Sequence, residues 1–212
     1  MAARRSGMNT AAPGPVVVVV AGGRGARFDG DGHKLAQPFG PSTVLATTLH
    51  RILAAGLPMV VVTTAPLASL AQGVVAARDV VLVPAVGSGD EPLGMGYSIA
   101  AGVAARSQAS GWMVMPADMP MVRPATFQRI AQAMRQHVIV HAQHRGRRGH
   151  PVGFSSELYS ELVSLKGDEG ARRLLARYPT YSLEIDDPGV LLDVDTRDDL
   201  EQARQRWSAD RS

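Results

Sequence analysis

The run Ala21-Gly22-Gly23-Arg24-Gly25-Ala26-Arg27 is built to meet a phosphate: its glycines let backbone N–H groups approach an anion, and its arginines add fork-shaped cationic donors. The same run also reads as a tight turn with no ligand. It fits neither of two familiar fingerprints. A dinucleotide G-x-G-x-x-G starting at Gly23 needs glycine where Phe28 stands, and a P-loop needs Gly-Lys-Ser/Thr where Lys34 is flanked by His33 and Leu35. Lys34 stands out by residue type, because the chain has 20 arginines and only two lysines, Lys34 and Lys166. A compact ammonium suits a polyphosphate that moves during reaction, and a chance surface lysine is the plain alternative. In Ala117-Asp118-Met119-Pro120, Asp118 follows a buried apolar run. There a carboxylate can hold Mg2+ by one oxygen, with phosphates and water completing the shell, or can simply close a strand exit. Asp193-Val194-Asp195-Thr196 offers a second metal ligand, a helix cap, or both. The basic turn His144-Arg145-Gly146-Arg147-Arg148-Gly149-His150 either clamps an anionic substrate or is a solvated turn. The six histidines lack zinc spacing, and no nucleophile elbow G-x-S-x-G is present.

Elements that would position these residues alternate along the chain. Val16–Val20 is apolar, β-branched and too short for a helix, so it reads as a buried parallel strand. Further strands are expected at Met59–Val62, Val80–Val83, Trp112–Met115, Val138–Ala142, Val152–Phe154, Tyr181–Ile185 and Leu191–Val194. Helices are expected at Ser42–Ala55, capped by Ser42 or Thr43 and stopped by Gly56, and at Leu67–Ala77 and Tyr97–Arg106. Others are expected at Pro124–Gln136, Ser156–Leu165, Glu169–Arg177 and Thr196–Trp207, the last opened by a Thr196/Asp199 capping box. Residues 84–96 form a Pro/Gly-rich loop. Such alternation implies crossover units and a mostly parallel sheet, whose ligands gather outside the carboxyl ends of the strands. The shorter pieces after residue 137 suggest an inserted or appended lobe. Residues 1–13 read as a loose leader, leaving 14–208 as a single domain.

Composition narrows the classes. The chain has 212 residues, 45% hydrophobic and 19% charged, with no cysteine. That excludes a disulfide framework, a Cys-based zinc site and a thiol nucleophile, and it suits a cytoplasmic protein. No apolar run approaches the ~18 residues that span a bilayer. Net charge is +3, aromatics total 5%, and no basic run is interleaved with aromatics, so neither nucleic acid nor membrane is the expected partner.

Together the pieces resemble the MobA-like nucleotidyltransferases that finish the molybdenum cofactor. Val20-Ala21-Gly22-Gly23-Arg24-Gly25-Ala26-Arg27…Lys34-Leu35 looks like the family's first motif. Gly94-Met95-Gly96-Tyr97-Ser98-Ile99 with Gly102 resembles its G-M-x-x-S-L-x-x-G segment, and Asp118-Met119-Pro120 its D-M-P. Gly149-His150-Pro151-Val152, Gly167-Asp168-Glu169-Gly170-Ala171-Arg172 and Asp193 to Leu200 resemble its G-H-P-V, G-D-x-G-A-R and D-I-D-T-P-E-D-L segments. The later segments look most like the cytidylyltransferase branch, whereas Ala21-Gly22-Gly23 and Gly25 are the habit of the guanylyl branch. Phe28 for methionine and a longer Asp29–His33 stretch are further departures.

The resemblance implies a Rossmann-like three-layer α/β/α sandwich, like that of the nucleotide-diphospho-sugar transferases. It also implies Mg2+-dependent transfer of CMP from CTP to the phosphate of molybdopterin, releasing pyrophosphate. The backbone of Ala21, Gly22, Gly23 and Gly25 would cradle the phosphates, while Arg27 and Lys34 neutralise them. Asp118, with Asp195, would hold the metal. Gly94, Met95 and Ser98 would line the base or pterin side, and His150 and Arg148 would face the anionic pterin. A molybdoenzyme or its maturation chaperone is the implied recipient. The alternatives are the same reaction with GTP, another phosphorylated acceptor such as a sugar phosphate or phospholactate, and a non-catalytic nucleotide-binding accessory. An NAD-dependent oxidoreductase is disfavoured by Phe28.

Overall fold

Five consecutive valines and an alanine make β1 (Val16–Ala21), and the run is apolar throughout because both of its faces are covered. In the computed structural model, which describes residues 14–23, 25, 27–84, 93–167 and 170–209, β1 lies between two parallel partners. Val18 stands opposite Val60 of β4 (Met59–Thr63) and opposite Val114 of β6 (Gly111–Pro116). Beyond β4 lies β5 (Val80–Leu82), also parallel. On the other side β8 (Arg147–Ser155) runs antiparallel between β6 and β7 (Ile139–His144), and β9 (Thr180–Glu184) pairs parallel with β7. The seven-stranded order is β5-β4-β1-β6-β8-β7-β9, with β8 alone reversed. A separate two-stranded hairpin joins β2 (Pro38–Phe39) to β3 (Ser42–Thr43).

Alternate strand residues point into two cores. Val17, Val19 and Ala21 pack with α1 (Val44–Ala54), α2 (Ala65–Gln72), α4 (Pro124–Ala133) and α7 (Arg197–Ala209). Val16 and Val18 pack with α3 (Gly94–Ala105), α5 (Tyr159–Val163) and α6 (Arg172–Arg177). The result is the expected α/β/α sandwich on a mostly parallel sheet. Thr43 is the cap of α1, its hydroxyl accepting from Ala46 N at 3.2 Å. Strand order reverses at β1: the chain moves outward through β4 and β5, then returns to lay β6 on the other side. In sheets with such a reversal, ligands sit outside the carboxyl ends of the strands that flank it, here β1 and β6.

Several expectations need correction. The segment after residue 137 forms no lobe of its own, since β7, β8 and β9 extend the same sheet. The basic segment is mostly strand. Its turn is Arg145-Gly146, both left-handed (φ 51° and 76°), with Glu184 accepting from Arg145 N at 2.5 Å and from Gly146 N at 3.4 Å. Leu191–Val194 is not a strand: Pro188–Leu191 forms a 3-10 turn, capped by Asp187, that straps across the sheet end. The strap fits because Gly149 and Gly189 lack side chains. A Cβ on Gly149 would lie 2.1 Å from Val190 O, and one on Gly189 would lie 2.3 Å from Met121 O. The expected leader 1–13, Arg24, most of the 84–96 loop, and Asp168 and Glu169 lie outside the described residues.

Candidate active site at the carboxyl ends of the central strands

Beyond β1 the chain leaves the sheet through Gly22 and Gly23 and reaches a 3-10 turn, Lys34–Ala36, anchored in the core by Leu35. His33 caps that turn. Its Nδ1 accepts from Leu35 N at 3.1 Å, so its Nε2 carries the proton and donates to Gly23 O at 2.9 Å. Gly25 has a left-handed φ of 64°, and a Cβ there would sit 3.4 Å from Lys34 Cγ. The glycine run and Lys34 are therefore one unit, tied by a histidine that the sequence reading treats only as spacing.

Lys34 joins the two acidic segments. Its Nζ donates to Asp118 Oδ2 and to Asp195 Oδ1, both at 2.6 Å, and its side chain is only 12% exposed. Arg27 NH1 reaches the other Asp195 oxygen at 2.9 Å, from a side chain 79% exposed. Asp118 Oδ1 is buried without a hydrogen-bond partner. Backbone contacts hold the carboxylates in place. Val194 N donates to Asp118 O at 2.9 Å, and Asp195 N donates to Asp199 Oδ2 at 3.2 Å. The expected capping box is formed, with Thr196 N on Asp199 Oδ2 at 2.8 Å and Asp199 N on Thr196 Oγ1 at 3.1 Å.

Electrostatics follow from this crowding. Burial alone would lower the Lys34 pKa, but the Asp118 and Asp195 carboxylates outweigh it and hold the ammonium above the usual lysine value. Asp193 is pushed above the usual carboxylate range by partial burial, then by Asp195 and Asp118. Burial pushes His150 down, with Asp193 opposing it. Asp199 is also desolvated, but the Thr196 hydroxyl and backbone donors outweigh that and hold its carboxyl low.

The remaining expected residues fall around this cluster. A Cβ on Gly22 would lie 2.9 Å from Ser98 Oγ, which brings the start of α3 against the glycine run. Gly94 opens α3 in a left-handed conformation, Gly96 N donates to Gly167 O at 2.9 Å, and Met95 is exposed. His150 lies on β8 within electrostatic reach of Asp193. Arg148, on the same strand, is exposed and acts electrostatically on buried His141.

Among the described residues no three His, Asp or Glu side chains form a ready metal cage. The donors that are present still suit a hard divalent cation shared with a ligand. Two carboxylates are held together by the backbone, and one carboxylate oxygen is buried and unspent. Mg2+ is ordinarily bound by one or two carboxylates plus phosphates and water.

Comparison with known proteins places the chain among relatives. Purine catabolism protein PucB of Bacillus subtilis (strain 168) is 32% identical over 124 residues, 56% of this chain and 60% of that protein. The molybdenum cofactor cytidylyltransferase of Escherichia coli (strain K12) is 29% identical over 91 residues, 43% of this chain and 47% of that protein. These matches thus span roughly half the length of the curated relatives. The crystal structure of Rv0371c from Mycobacterium tuberculosis H37Rv superposes with a TM-score of 0.77 at 29% identity, covering 91% of this chain and 98% of that one. Its complex with manganese superposes at 0.73 with 31% identity over the same shares. The family described as the MobA-like NTP transferase domain matches residues 17–182, from the second residue of β1 into β9 and through Lys34 and Asp118. The chain belongs to that family.

Proposed function

We propose that this chain transfers CMP from CTP to a phosphate of molybdopterin. An acceptor phosphate oxygen attacks the α-phosphorus, a new P–O bond forms, the bond to the bridging oxygen breaks, and pyrophosphate leaves. The observation that carries this reading is the convergence of Arg27, Lys34, Asp118 and Asp195 at the strand-order reversal, beside a glycine run able to present N–H groups. Such a transfer asks the protein for positioning and charge neutralisation more than for covalent chemistry. Asp118 and Asp195 would hold a divalent cation, Mg2+ in this reading, which supplies charge neutralisation on the triphosphate. The manganese complex of Rv0371c supports a divalent metal, and the named activity of the Escherichia coli relative supports the acceptor. Gly22, Gly23 and Gly25 face the phosphates, Arg27 and Lys34 take up charge on the leaving pyrophosphate, and Gly94, Met95 and Ser98 border the base. His150 and Arg148 meet the anionic acceptor. The Ala21-Gly22-Gly23 sequence favours GTP as the second reading.

Thermal unfolding with Mg2+ and each of CTP, GTP, ATP, UTP or NAD tests the reading. A ligand at ~100 times its dissociation constant adds about 2.7 kcal/mol of stability. CTP is expected to give the largest upward shift, and pyrophosphate release is expected only once molybdopterin is added. A shift with GTP alone moves the assignment to guanylyl transfer. A shift with NAD alone ends the transferase reading.

A further inference from the structure

Two roles assigned above compete for the same atoms. Lys34 spends its protons on Asp118 Oδ2 and Asp195 Oδ1, each at 2.6 Å, the very carboxylates that would hold a cation. An ammonium and a divalent cation cannot share these oxygens at such distances without strong repulsion. One of them must leave when the other arrives. Asp118 and Asp195 are each paired with Lys34, and Asp195 also with Arg27. A metal entering alone would have to displace these cations with nothing to receive them, whereas one entering with a triphosphate brings an anion to which they can transfer.

We propose that Lys34 is a place-holding cation: it occupies the Asp118–Asp195 pair in the free protein and moves to the phosphates only when the metal arrives on a nucleotide. This rests on reading Asp118 and Asp195 as the metal-holding pair. The design of the cluster supports it. The carboxylates are fixed through Val194 N on Asp118 O and Asp195 N on Asp199, so the exchange needs only side-chain motion. Lysine has the flexible stem and compact head for such a swing, and arginine, with its rigid fork, does not. Asp118 Oδ1 remains unpartnered beneath the ammonium, so the resident cation satisfies the pair incompletely. Arg27, largely exposed on the outer oxygen of Asp195, is free to follow the phosphates. Among the described residues no third carboxylate or histidine joins the pair, so a divalent ion binds it only weakly without oxygens from a ligand.

The chain's two lysines make a direct test possible. Labelling lysine side chains with nitrogen-15 gives two ammonium signals, Lys34 and Lys166, which Lys34→Met assigns by removing one of them. Mg2+ alone is expected to leave the Lys34 signal in place, and Mg2+ with α,β-methylene-CTP or α,β-methylene-GTP is expected to move it. Independently, Mn2+ binding to the full chain is read by electron paramagnetic resonance without nucleotide. Lys34→Met is expected to bind Mn2+ about tenfold more tightly than wild type, and Lys34→Arg, which keeps the charge, to bind no better than wild type. Equal Mn2+ binding by wild type and Lys34→Met, or a Lys34 signal that moves with Mg2+ alone, overturns the place-holder while leaving the metal-holding pair standing. If neither protein retains Mn2+ even with the analogue, the metal-holding pair itself is wrong and the place-holder falls with it.

Discussion

Arg27 is placed where its ion pair can contribute little to stability. Its side chain is 79% exposed and its ion pair with Asp195 spans 2.9 Å. Exposed pairs of this kind contribute about 0–1 kcal/mol, because water screens them and ordering the side chain costs entropy. Arg27→Ala is therefore expected to change unfolding stability by less than about 1 kcal/mol while slowing pyrophosphate release about tenfold or more. Denaturant unfolding and a pyrophosphate assay on the same preparation check both halves. Lost stability with unchanged turnover would make Arg27 a structural residue. Arg27, Lys34 and Asp118 could be picked out in the sequence by residue type and by the apolar runs they follow. Their pairing was not legible. Lys34 meets carboxylates 84 and 161 positions away, and nothing local encodes such a distance. His33 was likewise opaque, because its value lies in two hydrogen bonds that exist only once the glycine run has folded back.

Helix α4 makes the corresponding point for an element. Pro124 marks its first turn in the sequence, yet its N-cap, Arg123, supplies no side-chain cap. The cap comes from Asp187, buried and far along the chain. Its Oδ2 accepts from Arg123 N at 2.8 Å and from Thr126 Oγ1 at 2.6 Å, and its Oδ1 accepts from Gly189 N at 3.0 Å. One side chain thus pins the start of α4 to the strap that leads to Asp193 and Asp195. Asp187→Ala strands these donors at once and is expected to cost about 2–3 kcal/mol, a lost cap plus unsatisfied buried groups. Because the strap carries Asp195, nucleotide-dependent stabilisation is expected to shrink as well. Denaturant unfolding with and without nucleotide checks both effects, and a cost below about 0.5 kcal/mol would show that the strap is held elsewhere. The same strap explains the strand wrongly expected at Leu191–Val194. Its apolar pair has strand character, but β8 already lies between β6 and β7 and offers no free edge there. Pro188 and Asp187 impose a 3-10 turn instead.

At the scale of the whole molecule, the motifs converge because six strands share one direction, so their carboxyl ends and the loops beyond them lie on one side. Alternating apolar runs disclosed the layers. The insertion of β8 between β6 and β7 stayed hidden, since strand order depends on which edges meet and not on any local pattern. That insertion buries His141 against Val152 of β8, with both ring nitrogens lacking partners. Burial, then the Arg148 guanidinium, pushes its pKa below the ordinary 6.5 against an opposing pull from the Gln143 side chain. The unfolded chain takes up this proton at the ordinary value and the folded chain only at lower pH. His141 therefore leaves stability intact above about pH 6.5 and erodes it as pH falls from there toward the depressed folded value. His150, also depressed by burial, acts in the same direction. His141→Leu removes the buried polar ring without opening a large void. It is expected to add about 1 kcal/mol at neutral pH and to make the acid limb shallower, leaving the share that belongs to His150. Denaturant midpoints of both proteins between about pH 7.5 and 5 decide the matter, that interval spanning the ordinary histidine range. Curves that stay parallel across it would mean that His141 keeps its usual proton affinity in the fold.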